Sequence, residues 1–349
     1  MKLGLALEYA VPKLVLPMDV IREAEAQGFD AVWSAEAYGS DAITPLAFIA
    51  AHTERIKLGT SVAQVSARAP TMLAMQLATL DQLAGGNRVI GGLGLSGPQV
   101  VEGWHGMPWA KPAARLRDCV DIVRKTLARE GPVEHQGEGL SLPYAGDDAS
   151  GYGKPLKSIL HMNADIPLYL GTGSRATVAL TAELADGWIP MGFVPGMMET
   201  YRPWLEEGLA RGGNQRSLAE LEIACPVQMD LTDDVAGAIA QRKIMAGMYV
   251  GGMGAAGKNF HADQMARRGF ADAAERIGEL FRAGHRDEAI AAVPDEYVDQ
   301  CALLGPPERI AERFREWAQS EATALIVHLG QGDPIDSVQL LARLQRENA

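Results

Sequence analysis

Residues 166–190 constrain the fold most, because they read as strand, glycine turn, helix and strand in one continuous run. The turn is Gly171-Thr172-Gly173-Ser174. Its glycines allow a ligand to approach the backbone closely, and Ser174 is a favourable helix N-cap. A helix N-terminus carries free N–H groups and binds anions. The turn therefore predicts a phosphate site. Arg175 either adds a positive charge to that site or is an ordinary exposed arginine on the helix face.

The same alternation of strand and helix recurs along the whole chain. Strand-like apolar runs begin near residues 3, 31, 56 and 89, and helical runs separate them. Further runs at 166–170, 188–190, 221–229 and 323–328 continue the series. Repeated βα units imply a parallel sheet, and eight of them predict a (β/α)8 TIM barrel. A bare barrel needs about 250 residues. The 349 residues of this chain therefore predict one domain, 1–349, with insertions after strands 4 and 7, at about 99–165 and 233–304.

Charge and cysteine content argue against several classes of function. The formal net charge of −12 disfavours nucleic-acid binding, because a phosphate backbone requires a basic face. Cys119, Cys225 and Cys301 lie far apart without a CxxC pair, and the histidines lack metal-ligand spacing, so no metal site is expected. No apolar run reaches the roughly 18 residues of a membrane span. We therefore expect a cytoplasmic protein that acts on a small molecule and contacts neither membrane nor nucleic acid.

Two glycine turns match a dinucleotide-binding fingerprint literally. Residues 92–97 read GxGxxG, and residues 171–176 read GxGxxA. A Rossmann site also needs an acidic residue about 20 positions further on, at the end of the next strand. After the first turn, Asp118 and Asp121 fall inside a predicted helix, and after the second the next strand ends in Met191-Gly192. A nicotinamide-dependent Rossmann enzyme is therefore the least favoured interpretation, and the two turns fit the rim of a barrel better.

Several motifs, in the same order along the chain, resemble the bacterial luciferase-like monooxygenase superfamily. The resemblance covers nearly the whole sequence and rests on residues 53–62 with Arg68-Ala69-Pro70, 87–94, 105–109, 171–174 and 185–188. Three more segments resemble its coenzyme F420 (deazaflavin)-dependent oxidoreductases in particular, at 35–41, 96–106 and 251–254. The resemblance implies a TIM-type barrel with the deazaflavin lying across the C-terminal mouth. It also implies a homodimer.

The resemblance further implies which residues hold the cofactor. The phosphate would lie on the 171–175 turn, which comprises Gly171, Thr172, Gly173, Ser174 and Arg175. In such enzymes a non-proline cis peptide at the end of strand three supports the ring from behind, and the matching bond here is Ser61–Val62. Gly94 and Ser96, in the turn after strand four, complete the predicted contacts. Lys258 in the second insertion either contacts the anionic cofactor tail or is a solvated loop lysine.

One departure from the family pattern affects the predicted chemistry. Several deazaflavin dehydrogenases carry an Asp-His pair after strand two and a Glu after the strand-four turn, whereas this chain has Glu36, Ala37 and Gly97. Their alcohol-oxidising mechanism is therefore not carried over. Glu36 keeps a carboxyl group and is the predicted catalytic residue, as a proton relay beside the ring. The alternative is a carboxylate that caps backbone N–H groups or pairs with an arginine.

Four further side chains are predicted to contact the substrate: Glu8, Trp104, His105 and His328. Glu8 follows the first predicted strand and His328 ends the eighth, whereas the other two lie in the excursion after strand four. Structural roles are the alternatives. Trp104 could pack the loop, and His328 could be a satisfied core histidine.

Together these residues predict a coenzyme F420-dependent oxidoreductase that transfers a hydride between the deazaflavin and a small organic substrate. An FMN-dependent luciferase-like monooxygenase is the first alternative, because both cofactors share a tricyclic ring and a phosphate. A barrel that binds a cofactor without turnover is the second alternative, because the His and the second acid of the dehydrogenases are missing.

Overall fold

A computed structural model of the chain describes residues 1–213, 216–253 and 259–348. Lys258 and the last glycine of the 251–254 motif lie outside the described residues.

The strands alternate with helices over most of the chain. In order, the strands are β1 (Lys2–Ala6), β2 (Ala31–Ser34), β3 (Lys57–Thr60), β4 (Ala63–Gln64), β5 (Val89–Gly94), β6 (His135–Gln136), β7 (Ser141–Leu142), β8 (Leu168–Thr172), β9 (Gly187–Pro190), β10 (Glu222–Leu231), β11 (Ala302–Gly305) and β12 (Ala324–Leu329).

Fourteen α-helices and one short 3₁₀ helix, Leu218–Glu220, are described. The α-helices are α1 (Met18–Gln27), α2 (Thr44–Ala50), α3 (Pro70–Leu83), α4 (Pro98–Val101), α5 (Pro112–Ala128), α6 (Arg175–Leu184), α7 (Met198–Gly212), α8 (Val235–Gly252), α9 (Phe260–Arg267), α10 (Ala271–Arg282), α11 (Arg286–Ala291), α12 (Asp295–Asp299), α13 (Pro307–Ala318) and α14 (Pro334–Glu347). No helix within the described ranges combines the length and the apolar character that crossing a bilayer requires.

Ten strands form one sheet with the order β11-β10-β12-β1-β2-β3-β5-β8-β9, in which β4 pairs with β5 and β10 also pairs with β9. The eight strands β1, β2, β3, β5, β8, β9, β10 and β12 therefore close into a parallel barrel, and the (β/α)8 prediction is confirmed. All eight predicted strands are present. A nicotinamide-binding open sheet, the least favoured interpretation of the sequence, does not fit a closed barrel.

Close packing of β3 against β5 explains one glycine of the first GxGxxG match. Gly92 lies inside β5, and a Cβ atom there would lie 1.7 Å from the carbonyl oxygen of Thr60. The Thr60 hydroxyl in turn donates to the Gly92 carbonyl at 2.7 Å. Gly92 is therefore required for strand packing and does not form a phosphate-binding turn.

The chain divides into two compact units. The first comprises Met1–Leu5, Pro190–Arg202 and Ile223–Ala349, and the second comprises Ala6–Ile189 and Pro203–Glu222. Within the first unit, helices α8 to α12 enclose an apolar cluster that includes the fully buried Met265 and Ile277. Within the second unit, Arg88 is buried and donates to the carbonyl oxygens of Thr53, Ile56 and Ala84. These bonds connect the start of β5 to the segment before β3.

Short strands inside the two insertions differ from the sequence prediction. The first insertion contains the antiparallel β6–β7 hairpin, where the buried carboxylate of Asp118 accepts from the backbone N–H groups of Gly139 and Leu140 at 2.7 and 2.8 Å. The second insertion ends in the strand β11, which was not among the eight predicted strands and pairs in parallel with β10. Both strand pairs satisfy backbone groups that would otherwise be left without partners.

Candidate active site

The predicted phosphate turn is the start of α6, and it lies in the second unit. Ser174 is the N-cap: its hydroxyl accepts from the N–H of Thr177, and the Thr177 hydroxyl accepts from the N–H of Ser174 at 3.2 Å. This reciprocal capping box fixes the first turn of the helix. In the described part of the chain, the N–H groups of Arg175 and Ala176 have no acceptor. They remain available to an anion at the helix N-terminus.

Side chains from neighbouring elements hold the strand that leads into this turn. The Thr172 hydroxyl lies 2.8 Å from that of Thr181 on α6, and the indole Nε1 of Trp188 donates to the Thr172 carbonyl at 3.1 Å. Asp186 accepts from the N–H of Leu168 at 2.8 Å. Trp188 and Asp186 belong to the Ala-Asp-Gly-Trp motif. In this structure the motif therefore fixes β8, the strand that leads into the turn.

Arg175 lies on the exposed side of α6. Its guanidinium donates to the carboxylate of Glu207 at 3.2 Å, and 71% of the side chain is exposed. This geometry matches the second of the two interpretations of Arg175, an ordinary exposed arginine on the helix face. Its role in phosphate binding stays a prediction.

The side chain of Val62 packs against two glycines of the barrel strands. Gly94 at the end of β5 pairs with Gly171 of β8. A Cβ at Gly94 would lie 2.4 Å from Cγ2 of Val62, and a Cβ at Gly171 would lie 2.7 Å from its Cγ1. Only glycine at both positions leaves room for this valine. The Ser61–Val62 peptide bond is cis, as predicted.

Glu36 follows β2 and accepts three hydrogen bonds through its carboxylate. One oxygen accepts from the N–H of Gln64 at 2.7 Å, and the other accepts from the N–H of Ala42 at 2.9 Å and from Nη2 of Arg68 at 2.7 Å. Only 6% of the Glu36 side chain and 13% of the Arg68 side chain are exposed. Glu36 therefore caps backbone groups and pairs with an arginine, as the alternative interpretation of the sequence described.

Gln64 connects Glu36 to His105. Its side-chain Nε2 donates to the carbonyl oxygens of Glu36 and Ala37 at 3.0 and 3.3 Å, and its Oε1 lies 3.2 Å from Nε2 of His105. The sequence interpretation gave no role to Gln64 or Arg68. Arg68 was recognised only as part of the Arg-Ala-Pro motif. Their partners lie 27 to 41 positions away in the chain.

The other predicted residues of the second unit occupy more open positions. Glu8 is exposed just after β1, and Ser96 is half-buried between β5 and α4. Trp104 is 66% exposed, so it does not pack the loop. His105 is half-buried beside it.

His328 lies in the first unit, on β12, where its register partner is Gln228 of β10. Arg242 of α8 donates to Gln228 at 2.7 Å and to the buried Asp230 at 2.7 Å. Burial, and after it the positive charge of Arg242, lower the pKa of the His328 imidazole to about 4. His328 is therefore neutral at physiological pH.

Sequence comparisons identify relatives along nearly the whole chain. The model of the luciferase-like monooxygenase family matches residues 12–324. A Mycobacterium tuberculosis protein, provisionally named a coenzyme F420-dependent oxidoreductase, is 44% identical over 344 residues, which cover 98% of this chain and 99% of that protein. The 5,10-methylenetetrahydromethanopterin reductase of Methanopyrus kandleri is 27% identical over 333 residues, which cover 90% of this chain and 88% of that enzyme.

A solved structure has the same fold. The coenzyme F420-dependent tetrahydromethanopterin reductase from Methanopyrus kandleri matches with a TM-score of 0.75 at 24% identity, over 98% of this chain and 97% of that chain. This structural likeness shows the barrel fold, while the sequence matches show the family. The chain belongs to the luciferase-like monooxygenase family, in its branch of F420-dependent oxidoreductases, and is an oxidoreductase.

Proposed function

We propose that the protein uses coenzyme F420 as its cofactor and transfers a hydride between the deazaflavin and a small organic substrate. The observation that carries this proposal is the 44% identity, over almost the full length of both chains, to a protein provisionally named a coenzyme F420-dependent oxidoreductase. The bound deazaflavin would supply the hydride, and the protein would supply binding, orientation and electrostatics.

The residues of the second unit fit such a cofactor. The N–H groups of Arg175 and Ala176 have no acceptor among the described residues. They lie at a helix start fixed by the Ser174 capping box and would bind the cofactor's phosphate. Val62, which packs against Gly94 and Gly171, would support the ring together with Ser61. Ser96, half-buried just beyond Gly94, would add a polar contact.

Glu36 would act mainly as a structural residue that connects the segments after β2 and β3. Its oxygens already accept from Gln64, Ala42 and Arg68. Only 6% of the side chain is exposed, so a ligand would have little access to the carboxylate. The predicted catalytic role can be tested with Glu36→Gln, which keeps the size of the side chain and removes its charge.

Glu8, Trp104, His105 and His328 remain the proposed substrate contacts. Three of them present exposed or half-buried side chains in the second unit, and His328 presents a neutral imidazole in the first. Neutral imidazole can both donate and accept a hydrogen bond, which suits a carbonyl compound or an enoate.

Titration of the purified protein with F420 and with FMN tests the proposed cofactor. We expect micromolar binding of F420, followed by its oxidation or reduction when carbonyl compounds, enoates or their reduced forms are screened. The variant Gly171→Ala should weaken F420 binding, because the new methyl group displaces Val62. Gly131→Ala is the matched control, because a Cβ there meets no atom within 4 Å.

Two results would each favour an alternative. Binding of FMN without binding of F420 would favour the luciferase-like monooxygenase. Tight F420 binding without turnover across the whole screen would favour a barrel that binds the cofactor without catalysis.

We also propose that the protein is a homodimer and that a second copy covers α2 and α3. These two helices carry the exposed apolar side chains of Phe48, Met72 and Met75, each about half exposed. Light scattering coupled to size-exclusion chromatography should give twice the monomer mass of 37.3 kDa. The double variant Phe48→Glu/Met75→Glu should elute as a monomer. A wild-type mass of 37.3 kDa would contradict the dimer.

A further inference from the structure

We propose that His105 is the catalytic residue that exchanges a proton with the substrate, and that Gln64 is a positioning residue that fixes its tautomer. This inference rests on the proposed hydride transfer. Reduction of a carbonyl or enoate by a hydride also requires one proton. Glu36 is poorly placed to give it, because its side chain is only 6% exposed and is paired with Arg68. His105 contacts Gln64, which belongs to the same hydrogen-bond network.

The orientation of the Gln64 amide follows from its partners. One end of the amide lies 3.0 and 3.3 Å from the carbonyl oxygens of Glu36 and Ala37. Carbonyl oxygens only accept hydrogen bonds, so this end must be the NH₂ group. The other end, which faces His105, must therefore be the carbonyl oxygen. Rotating the amide by 180° would oppose its oxygen to two carbonyl oxygens.

This orientation determines which nitrogen of His105 carries hydrogen. An amide oxygen accepts but cannot donate, so Nε2 of His105, 3.2 Å away, must be the donor. In the neutral imidazole, Nδ1 then has the lone pair. Nδ1 of His105 has no partner within the described residues, and it is not among their buried unpaired atoms. Nδ1 is therefore the nitrogen that is free to exchange a proton with a ligand.

The charged groups described near His105 are one ion pair and one exposed carboxylate. Glu36 and Arg68 form an ion pair on the far side of Gln64, with N and O 2.7 Å apart. On the segment of His105 itself, the exposed Glu102 accepts from the N–H of Trp109 at 3.2 Å. The His105 N–H donates to the carbonyl oxygen of Val100 at 3.0 Å, which fixes its backbone.

Reduction of the substrate takes up one hydride and one proton. In the direction of substrate reduction, a C–H bond of the reduced deazaflavin would break, and its hydride would form a C–H bond on the substrate. The hydride would bring the electron pair, and the deazaflavin would be left oxidised. The N–H bond at Nδ1 of the imidazolium breaks, and its proton forms an O–H or C–H bond on the substrate. His105 is left as the neutral Nε2–H tautomer, which the Gln64 oxygen stabilises. In the oxidation direction, Nδ1 accepts the proton.

Nitrogen-15 NMR of the protein without cofactor tests the tautomer independently of turnover. The chain has seven histidines, and the signal that His105→Gln removes assigns His105. Above the pH at which the ring titrates, we expect an Nε2–H tautomer with an unprotonated Nδ1. In Gln64→Met, which lacks the acceptor, we expect a mixture of both tautomers. A pure Nδ1–H tautomer in the wild type would overturn the proposal.

Kinetics of His105→Gln test the proton exchange. Glutamine can still donate to Gln64 but cannot carry a proton to the substrate, so we expect unchanged F420 affinity, a loss of kcat of at least 100-fold and a changed pH profile of kcat. His161→Gln is the matched control, because its exposed side chain has no described contact. Unchanged kcat and an unchanged pH profile in His105→Gln would overturn the proposal. Absent F420 binding in the wild type would instead contradict the proposed function.

Discussion

Nη2 of Arg68 lies 2.7 Å from Oε2 of Glu36, and both side chains are largely buried. Removing one member of a buried ion pair leaves an uncompensated charge, whereas an exposed pair contributes little. We expect Arg68→Met to lower the free energy of unfolding by about 3 kcal/mol, as measured by urea denaturation.

The control for this ion pair is Arg343→Met, which breaks the pair of Arg343 and Glu347 on α14. Both of its members are 58% exposed, so the change should cost about 0.5 kcal/mol or less. Equal losses in the two variants would show that burial of the Arg68–Glu36 pair has no special effect.

Packing of Val62 against glycine predicts an energetic coupling between two residues. Gly94→Ala places a methyl group 2.4 Å from Cγ2 of Val62, and such overpacking costs about 1–3 kcal/mol. Shortening the valine should relieve the clash, so Val62→Ala/Gly94→Ala should recover part of the loss. Urea denaturation of the wild type and the three variants gives the coupling energy. If the losses of the two single variants simply add up in the double variant, Val62 and Gly94 are not coupled, and the prediction is wrong.

The fold could be predicted from local periodicity, since each strand carries its own signal. The predicted second strand, for example, coincides with β2 at Ala31–Ser34. β11 was missed because the four-residue apolar run Ala302–Gly305 does not distinguish a strand from the end of a helical segment. Its assignment depends on pairing with β10, far away in sequence.

The site was predicted less completely than the fold. The capping box at Ser174 depends on a residue three positions away, so the turn could be recognised from its local sequence. The contacts that occupy Glu36 come from Gln64 and Arg68, which lie 28 and 32 positions later. A single sequence shows neither distances nor side-chain orientation over such separations. Motif similarity indicated Glu36, and only the structure reveals its partners.

The Ser174 cap should affect both stability and cofactor binding. Ser174→Ala removes the acceptor for the Thr177 N–H and should cost about 1 kcal/mol of stability. Asp333→Ala is the matched control, since Asp333 caps α14 by accepting from the N–H groups of Ile335 and Asp336. We expect similar losses in urea denaturation, but weaker F420 binding in Ser174→Ala alone. Equal F420 affinity in the two variants would contradict the assignment of the phosphate to this turn.

His328 should make the protein less stable in acid. Burial and the charge of Arg242 lower its pKa from 6.5 to about 4, so between these pH values the unfolded chain binds the proton more readily than the folded protein. The stabilisation is complete above pH 6.5 and decreases as the pH falls towards 4. We therefore expect the free energy of unfolding to decrease more between pH 7 and about 4.5 in the wild type than in His328→Gln, where this titration is absent. His161→Gln, which replaces an exposed histidine, should follow the wild type. If the free energy of unfolding of His328→Gln decreased with pH as much as that of the wild type, the pKa of His328 would be the same in the folded and unfolded chains, and the prediction would be wrong.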